Sequence, residues 1–121
     1  MKPAVLHCEA NVELTAAASR YKCERPELAR DFLRAFRAAK DAIERQPDRF
    51  TFLDKPVRRV RVSGFPYRIV YEEMDNCVHV LAIMHDSRDP NYWKSRLSAP
   101  LLRDRRSPLT PGNVPRRSGA L

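Results

Sequence analysis

Apolar and polar positions divide the chain into a helical first half and a stranded second half. A short strand, Val5-Leu6-His7, comes first. Residues 9–23 contain no Gly or Pro, and Leu14, Ala17, Ala18 and Tyr21 fall on one face at helical spacing. Pro26 stands where a first helical turn tolerates it, and Glu27 follows near the positive end of the helix dipole. From there Leu28, Phe32, Phe36, Ala39 and Ile43 recur at steps of four, four, three and four. That spacing predicts an amphipathic helix over residues 26–46, closed before Pro47. Its other face carries Arg30, Arg34, Arg37, Asp41, Glu44 and Arg45, a solvated surface. Only Glu24-Arg25 separates the two helices, so they form a hairpin.

After Pro56 the period changes to two. Residues 57–62, 67–73 and 77–84 are rich in Val, Ile and Tyr and are separated by Ser63-Gly64-Phe65-Pro66 and Met74-Asp75-Asn76, the turns of consecutive antiparallel hairpins. The third strand is apolar on both faces apart from His79, which places it inside the sheet with both sides covered. Asp89-Pro90 opens a last helical segment to about Leu97. The expected fold is α+β: a short N-terminal strand and a helical hairpin packed on a mainly antiparallel sheet of three to four strands, then a short C-terminal helix. From Ser98 on, four Pro, two Gly and five Arg fall in 24 residues. Such a segment buries too little surface to offset its ordering entropy. The expected division is one domain over 1–97 and a disordered basic tail over 98–121.

The 121 residues suffice for one core, and with 43% hydrophobic and 31% charged residues the chain reads as globular. No apolar run approaches the roughly 18 residues of a spanning helix. The three apolar residues Ala4-Val5-Leu6 are too few for a signal-peptide core. Cys8, Cys23 and Cys77 show no C-x-x-C spacing, so neither a disulfide framework nor a metal site is indicated. A reducing cytoplasm is the expected compartment.

Charge is distributed unevenly. Of the net +8, residues 51–71 carry +4 and residues 98–121 carry +4, whereas 9–50 are nearly balanced. A concentrated basic segment favours a polyanionic partner, nucleic acid or an acidic protein. Within Val57-Arg58-Arg59-Val60-Arg61-Val62, the strand period puts Arg59 and Arg61 on one face. Arg68 lies in the neighbouring strand within Pro66-Tyr67-Arg68-Ile69-Val70-Tyr71. An Arg there must meet a carboxylate, with Glu72 or Asp54 as candidates, or line a groove. Three converging guanidiniums suit phosphate oxygens. A second cluster, Met84-His85-Asp86-Ser87-Arg88-Asp89-Pro90-Asn91-Tyr92-Trp93, follows the central strand. His85 suits acid–base work near neutrality, Arg88 could stabilise negative charge, and Tyr92 could stack on a base or donate a proton. Equally, Arg88 could pair with Asp89, and Trp93 could anchor the last helix. No phosphate loop, Ser-His-Asp order or metal-ligand cluster is present in the sequence.

The order helix, helix, strand, strand, strand, together with Phe65-Pro66-Tyr67-Arg68-Ile69-Val70-Tyr71 and the run Val80-Leu81-Ala82-Ile83-Met84-His85-x-x-Arg88-Asp89-Pro90-x-x-Trp93, resembles the RelE/ParE superfamily of bacterial type II toxins, the plasmid-stabilisation type. The likeness covers roughly residues 5–97. It implies a toxin neutralised by a cognate antitoxin in a hetero-oligomer, acting on the ribosome and its mRNA or on DNA gyrase, with no cofactor, metal or membrane. RelE-like members cleave mRNA in the ribosomal A site using basic residues on the sheet; ParE-like members inhibit DNA gyrase. The resemblance puts Arg59 and Arg61 where cleaving members carry lysines, and Arg68 on their phosphate-stabilising arginine. Tyr92 or Trp93 stands for their terminal tyrosine. Arg-Asp-Pro at 88–90 replaces a more basic stretch, and Arg cannot release a proton near neutral pH. The expectation therefore leans to a ParE-like gyrase inhibitor. In the RelE-like alternative, Arg59, Arg61, Arg68, His85, Arg88 and Tyr92 form the catalytic set. A third reading is a non-toxic nucleic-acid-binding or regulatory module on the same fold.

Overall fold

The structure is a computed structural model, and it describes residues 1–97. The elements are β1 (Ala4–Leu6), α1 (Cys8–Glu24), α2 (Pro26–Arg45), β2 (Phe52–Asp54), β3 (Val57–Arg61), β4 (Tyr67–Glu73), β5 (Val78–His85) and a 3₁₀ helix (Tyr92–Arg96). The five strands lie in the order β1-β5-β4-β3-β2, with β1 parallel to β5 and all other pairs antiparallel. The fold is α+β, as the sequence pattern implies. The sheet has one strand more than expected, β2, and the expected short C-terminal helix is a 3₁₀ element. The expected tail over 98–121 lies outside the described residues.

Both helices pack on one face of the sheet. Phe32, Phe36 and Ile43 of α2 are buried there with Ala10 and Ala17 of α1, against Val62, Tyr67, Ile69, Tyr71, Val78, Val80 and Ile83. Phe32 meets the rings of Tyr21, Phe65 and Tyr67 at 5.2–5.4 Å between centroids. Burying a side chain of this size contributes about 1.5–3 kcal/mol. A smaller core, with Val57, Val70, Leu81, Ala82 and Met84, sits on the opposite face beneath Trp93. Double cover explains why β5 is apolar on both sides. The β3–β4 turn closes with Phe65 N–H donating to the Val62 carbonyl at 3.0 Å, and Gly64 takes φ +86° at its third position. That value of φ is costly for any residue with a Cβ.

A one-residue irregularity breaks the β4–β5 ladder. Tyr71 pairs with Val80, but Val70 pairs with Ala82, so Leu81 is the extra residue. A slip of one residue turns every later side chain to the other face. Ile83 and His85 thereby face the helices, and Met84 faces away. This shift decides the geometry of the site.

The N-terminus is tied down by α2. The Glu44 carboxylate accepts from Ala4 N–H at 2.8 Å and from Lys40 at 3.2 Å. The bond from the Ala4 backbone holds the Glu44 carboxyl below its usual range, against the opposing pull of burial. A depressed folded-state pKa contributes stability above the unfolded value, which is lost as pH falls through the folded one. Exchange of the Ala4 amide hydrogen should therefore become markedly less protected as the medium is acidified below the ordinary carboxylate range. Glu44→Gln should abolish that acid dependence; an unchanged profile in the variant would assign the effect to other carboxyls.

Candidate functional site

The basic segment reaches its position through the strand pleat. Val60 and Ile69 are cross-strand partners and belong to the helix-side core. Their neighbours Arg59, Arg61 and Arg68 therefore project from the other face, with Arg61 directly opposite Arg68. Arg58, on the helix side, is taken up structurally. Its guanidinium donates to the Phe50 carbonyl at 2.6 Å and stacks 3.8 Å over the Phe52 ring. That anchoring brings the segment before β2 alongside β3. The result is an open cleft of about 370 Å³ lined by Arg49, Arg59, Arg61 and Arg68 with Phe50, Thr51 and Val60.

Like charges directly opposite on paired strands repel, and the Arg61–Arg68 pair is relieved by one acid. The Asp86 carboxylate lies 3.3 Å from Arg61 through one oxygen and 3.6 Å from Arg68 through the other. Asp86 is fixed by the chain around it. Its N–H donates to the Pro66 carbonyl at 2.9 Å, and Arg88 N–H closes the turn on the His85 carbonyl at 3.0 Å. The expected partners of Arg68 are engaged elsewhere: Glu72 pairs with His79 and Asp54 with Lys94. Among the described residues, Arg49 and Arg59 meet no carboxylate in an ion pair.

Of the remaining sequence candidates, His85 and Arg88 occupy a different cleft. The shift at Leu81 carries His85 to the helix side, where its ring meets Tyr67 edge-on at 5.0 Å. His85 and Arg88 line a cleft of about 340 Å³ with Glu13, Arg20, Tyr67 and Ser87. His85 Nδ1 accepts the Ser87 N–H at 3.0 Å, which leaves the neutral ring its proton on Nε2. Arg20 is held by the Tyr67 hydroxyl. Arg88 does not pair with Asp89. Its guanidinium lies 4.0 Å from the Tyr92 ring, with Arg96 at 4.9 Å, while Asp89 accepts from Asn91 N–H at 3.0 Å. Burial, and then the charge and hydrogen bond of Glu13, push the Tyr92 phenol well above its ordinary value.

Six candidates from the sequence thus separate into two groups. Arg59, Arg61 and Arg68 converge; His85 and Arg88 share the cleft beside α1, and Tyr92 lies under Arg88 while packing against the smaller core. Guanidiniums bind and neutralise anions but do not exchange protons near neutral pH. The first cleft can therefore hold an oxyanion, and its arginines supply no acid–base group. Sequence reasoning missed Arg49, Arg20 and Asp86. Asp86 was readable only as a neighbour of His85, and its role depends on a register that periodicity does not reveal.

A two-helix hairpin lies on one face of a five-stranded sheet, and a basic cleft opens where the segment before β2 runs beside β3. Residues 5–90 match the family described as the ParE toxin of the type II toxin–antitoxin system parDE, and the chain belongs to that family. A solved structure described as the chromosomal ParDE TA system from P. aeruginosa aligns with a TM-score of 0.62 at 15% identity, covering 70% of this chain and 96% of that one. At that identity the likeness concerns the fold. No curated protein matches the chain in sequence. Membership identifies the protein as the toxin component of a toxin–antitoxin pair, with an antitoxin as its partner. Among the described residues, no helix is long and apolar enough to cross a membrane.

Proposed function

We propose that this toxin arrests growth by inhibiting DNA gyrase in the cytoplasm, and that its cognate antitoxin neutralises it by docking acidic side chains on the arginine cleft. The observation that carries the reading is the ParE family match over residues 5–90. The placement of His85 in a different cleft from Arg59, Arg61 and Arg68 supports it. An RNA-cleaving centre built on Arg59, Arg61 and Arg68 needs a proton acceptor and donor beside the scissile phosphate, and His85 lines the other cleft.

Induction of the chain alone should stop growth, and co-expression with its cognate antitoxin should restore it. The purified toxin should inhibit supercoiling by gyrase and leave ribosome-bound mRNA intact. Arg68→Ala separates the mechanisms. In a gyrase inhibitor whose contact surface is spread over several elements, toxicity should stay within a few-fold of the parent. In a ribosome-dependent nuclease, loss of one charge-stabilising contact lowers the rate about a hundredfold or more. Cleaved mRNA with supercoiling untouched would overturn the proposal.

A further inference from the structure

We infer that Asp86 is a built-in competitor of the arginine cleft: its carboxylate occupies the seat between Arg61 and Arg68 that an acidic side chain of a protein partner takes on binding. The inference rests on the reading of the cleft as the antitoxin's acidic docking surface, and it names the residue that tunes it. Four features of the seat support it.

The seat holds a carboxylate, each oxygen facing a different guanidinium, and this fits it for a Glu or Asp side chain. The hold is loose. At 3.3 and 3.6 Å both contacts exceed the roughly 2.7–2.9 Å of a tight charged hydrogen bond. The side chain of Asp86 is 35% exposed and that of Arg61 53%, so the bridge can open without disturbing any core. Charge is unbalanced, since among the described residues one carboxylate serves a cleft lined by four arginines. Finally, the Asp86 backbone is pinned through Pro66, so the competing charge is held beside the arginines rather than diffusing away. An incoming acidic segment displaces Asp86 from Arg61 and Arg68 and gains Arg49 and Arg59 as well. Asp86 thus lowers the affinity of the free cleft for single anions while leaving room for a partner with several.

The test is a double-mutant cycle on the full 121-residue chain. Binding of an acetylated, amidated hexaglutamate peptide is measured by calorimetry at low salt, for the parent, Asp86→Asn, Arg61→Gln and the double variant. A second arm uses a single-stranded hexanucleotide. Residues 98–121 are common to every arm, so their five arginines cancel in the cycle. Asp86→Asn should tighten peptide binding about fivefold, the scale of one charge removed about 4 Å away in a largely aqueous setting. That gain should vanish in the Arg61→Gln background. Equal affinity of parent and Asp86→Asn, with peptide bound by both, would overturn the proposal while leaving the cleft as an acidic-peptide site. A gain of equal size in both backgrounds would also overturn it, because the effect would then be a diffuse charge change. A gain confined to the hexanucleotide would assign the seat to nucleic acid instead. Peptide binding that Arg61→Gln leaves unaltered would overturn the reading of the cleft itself and the inference with it.

Discussion

Glu13→Ala should lower the stability of this toxin by about 3–5 kcal/mol, the range for removing one partner of a buried ion pair. In a domain of this size that is a fall in melting temperature of more than about 10 °C. The reason lies at the edge of the sheet. β1 pairs with β5 only from Val78 to Val80, and among the described residues Leu81–His85 have no strand on that side. Glu13 of α1 and Arg96 of the 3₁₀ helix fill the gap with side chains. One Glu13 oxygen accepts Ile83 N–H at 3.0 Å, while Arg96 donates to the Leu81 carbonyl at 3.0 Å. The two side chains also meet each other twice at 3.0 Å, at 16% and 11% exposure. Truncating Glu13 leaves a semi-buried guanidinium and an orphan strand amide together, and an unpaired buried donor is expensive. Arg96→Ala should cost a similar amount for the mirror-image reason. Glu13→Gln, which keeps the acceptor and loses only the charge, should cost less than either. A urea melt showing less than about 1 kcal/mol for Glu13→Ala would mean that the edge is satisfied by water without penalty.

This plug also shows how far the sequence can be read. The helices were legible because α2 repeats its apolar positions faithfully, and β3 to β5 because Val, Ile and Tyr alternate between short turns. β2 was not, because a three-residue strand with two paired positions has no periodicity to detect. The convergence of Arg59, Arg61 and Arg68 followed from a period of two and a hairpin turn. The same period of two puts His85 on the arginine face as well, through an uninterrupted β5. The extra residue at Leu81 reverses that. An irregularity of this kind is set by packing on both faces of β5 and leaves no mark on composition. Glu13 and Arg96 were invisible for a related reason. They are 83 residues apart and meet only because β1 is shorter than β5.

Trp93→Ala should cost about 3–5 kcal/mol, comparable with Glu13→Ala but through cavity formation. Trp93 is 1% exposed and roofs the small core of Val57, Val70, Leu81, Ala82 and Met84. It is the buried residue of the 3₁₀ helix, so removing it frees the element that delivers Arg96 to Glu13. The two losses should therefore be coupled: the double variant Trp93→Ala/Glu13→Ala should fall short of the sum of the single costs. Trp93→Phe should behave differently. The indole Nε1 is buried with no hydrogen-bond partner among the described residues. A buried donor left unpaired costs about 1–3 kcal/mol, so the smaller ring removes a penalty as well as some packing. Stability within about 1 kcal/mol of the parent is expected for Phe by that balance. A large loss in Trp93→Phe would show that volume alone governs the site. The same pair of variants reads out function, because Val57 begins the strand that carries Arg59 and Arg61. Phe at 93 should leave hexaglutamate binding as in the parent, and Ala should weaken it by loosening the floor under β3.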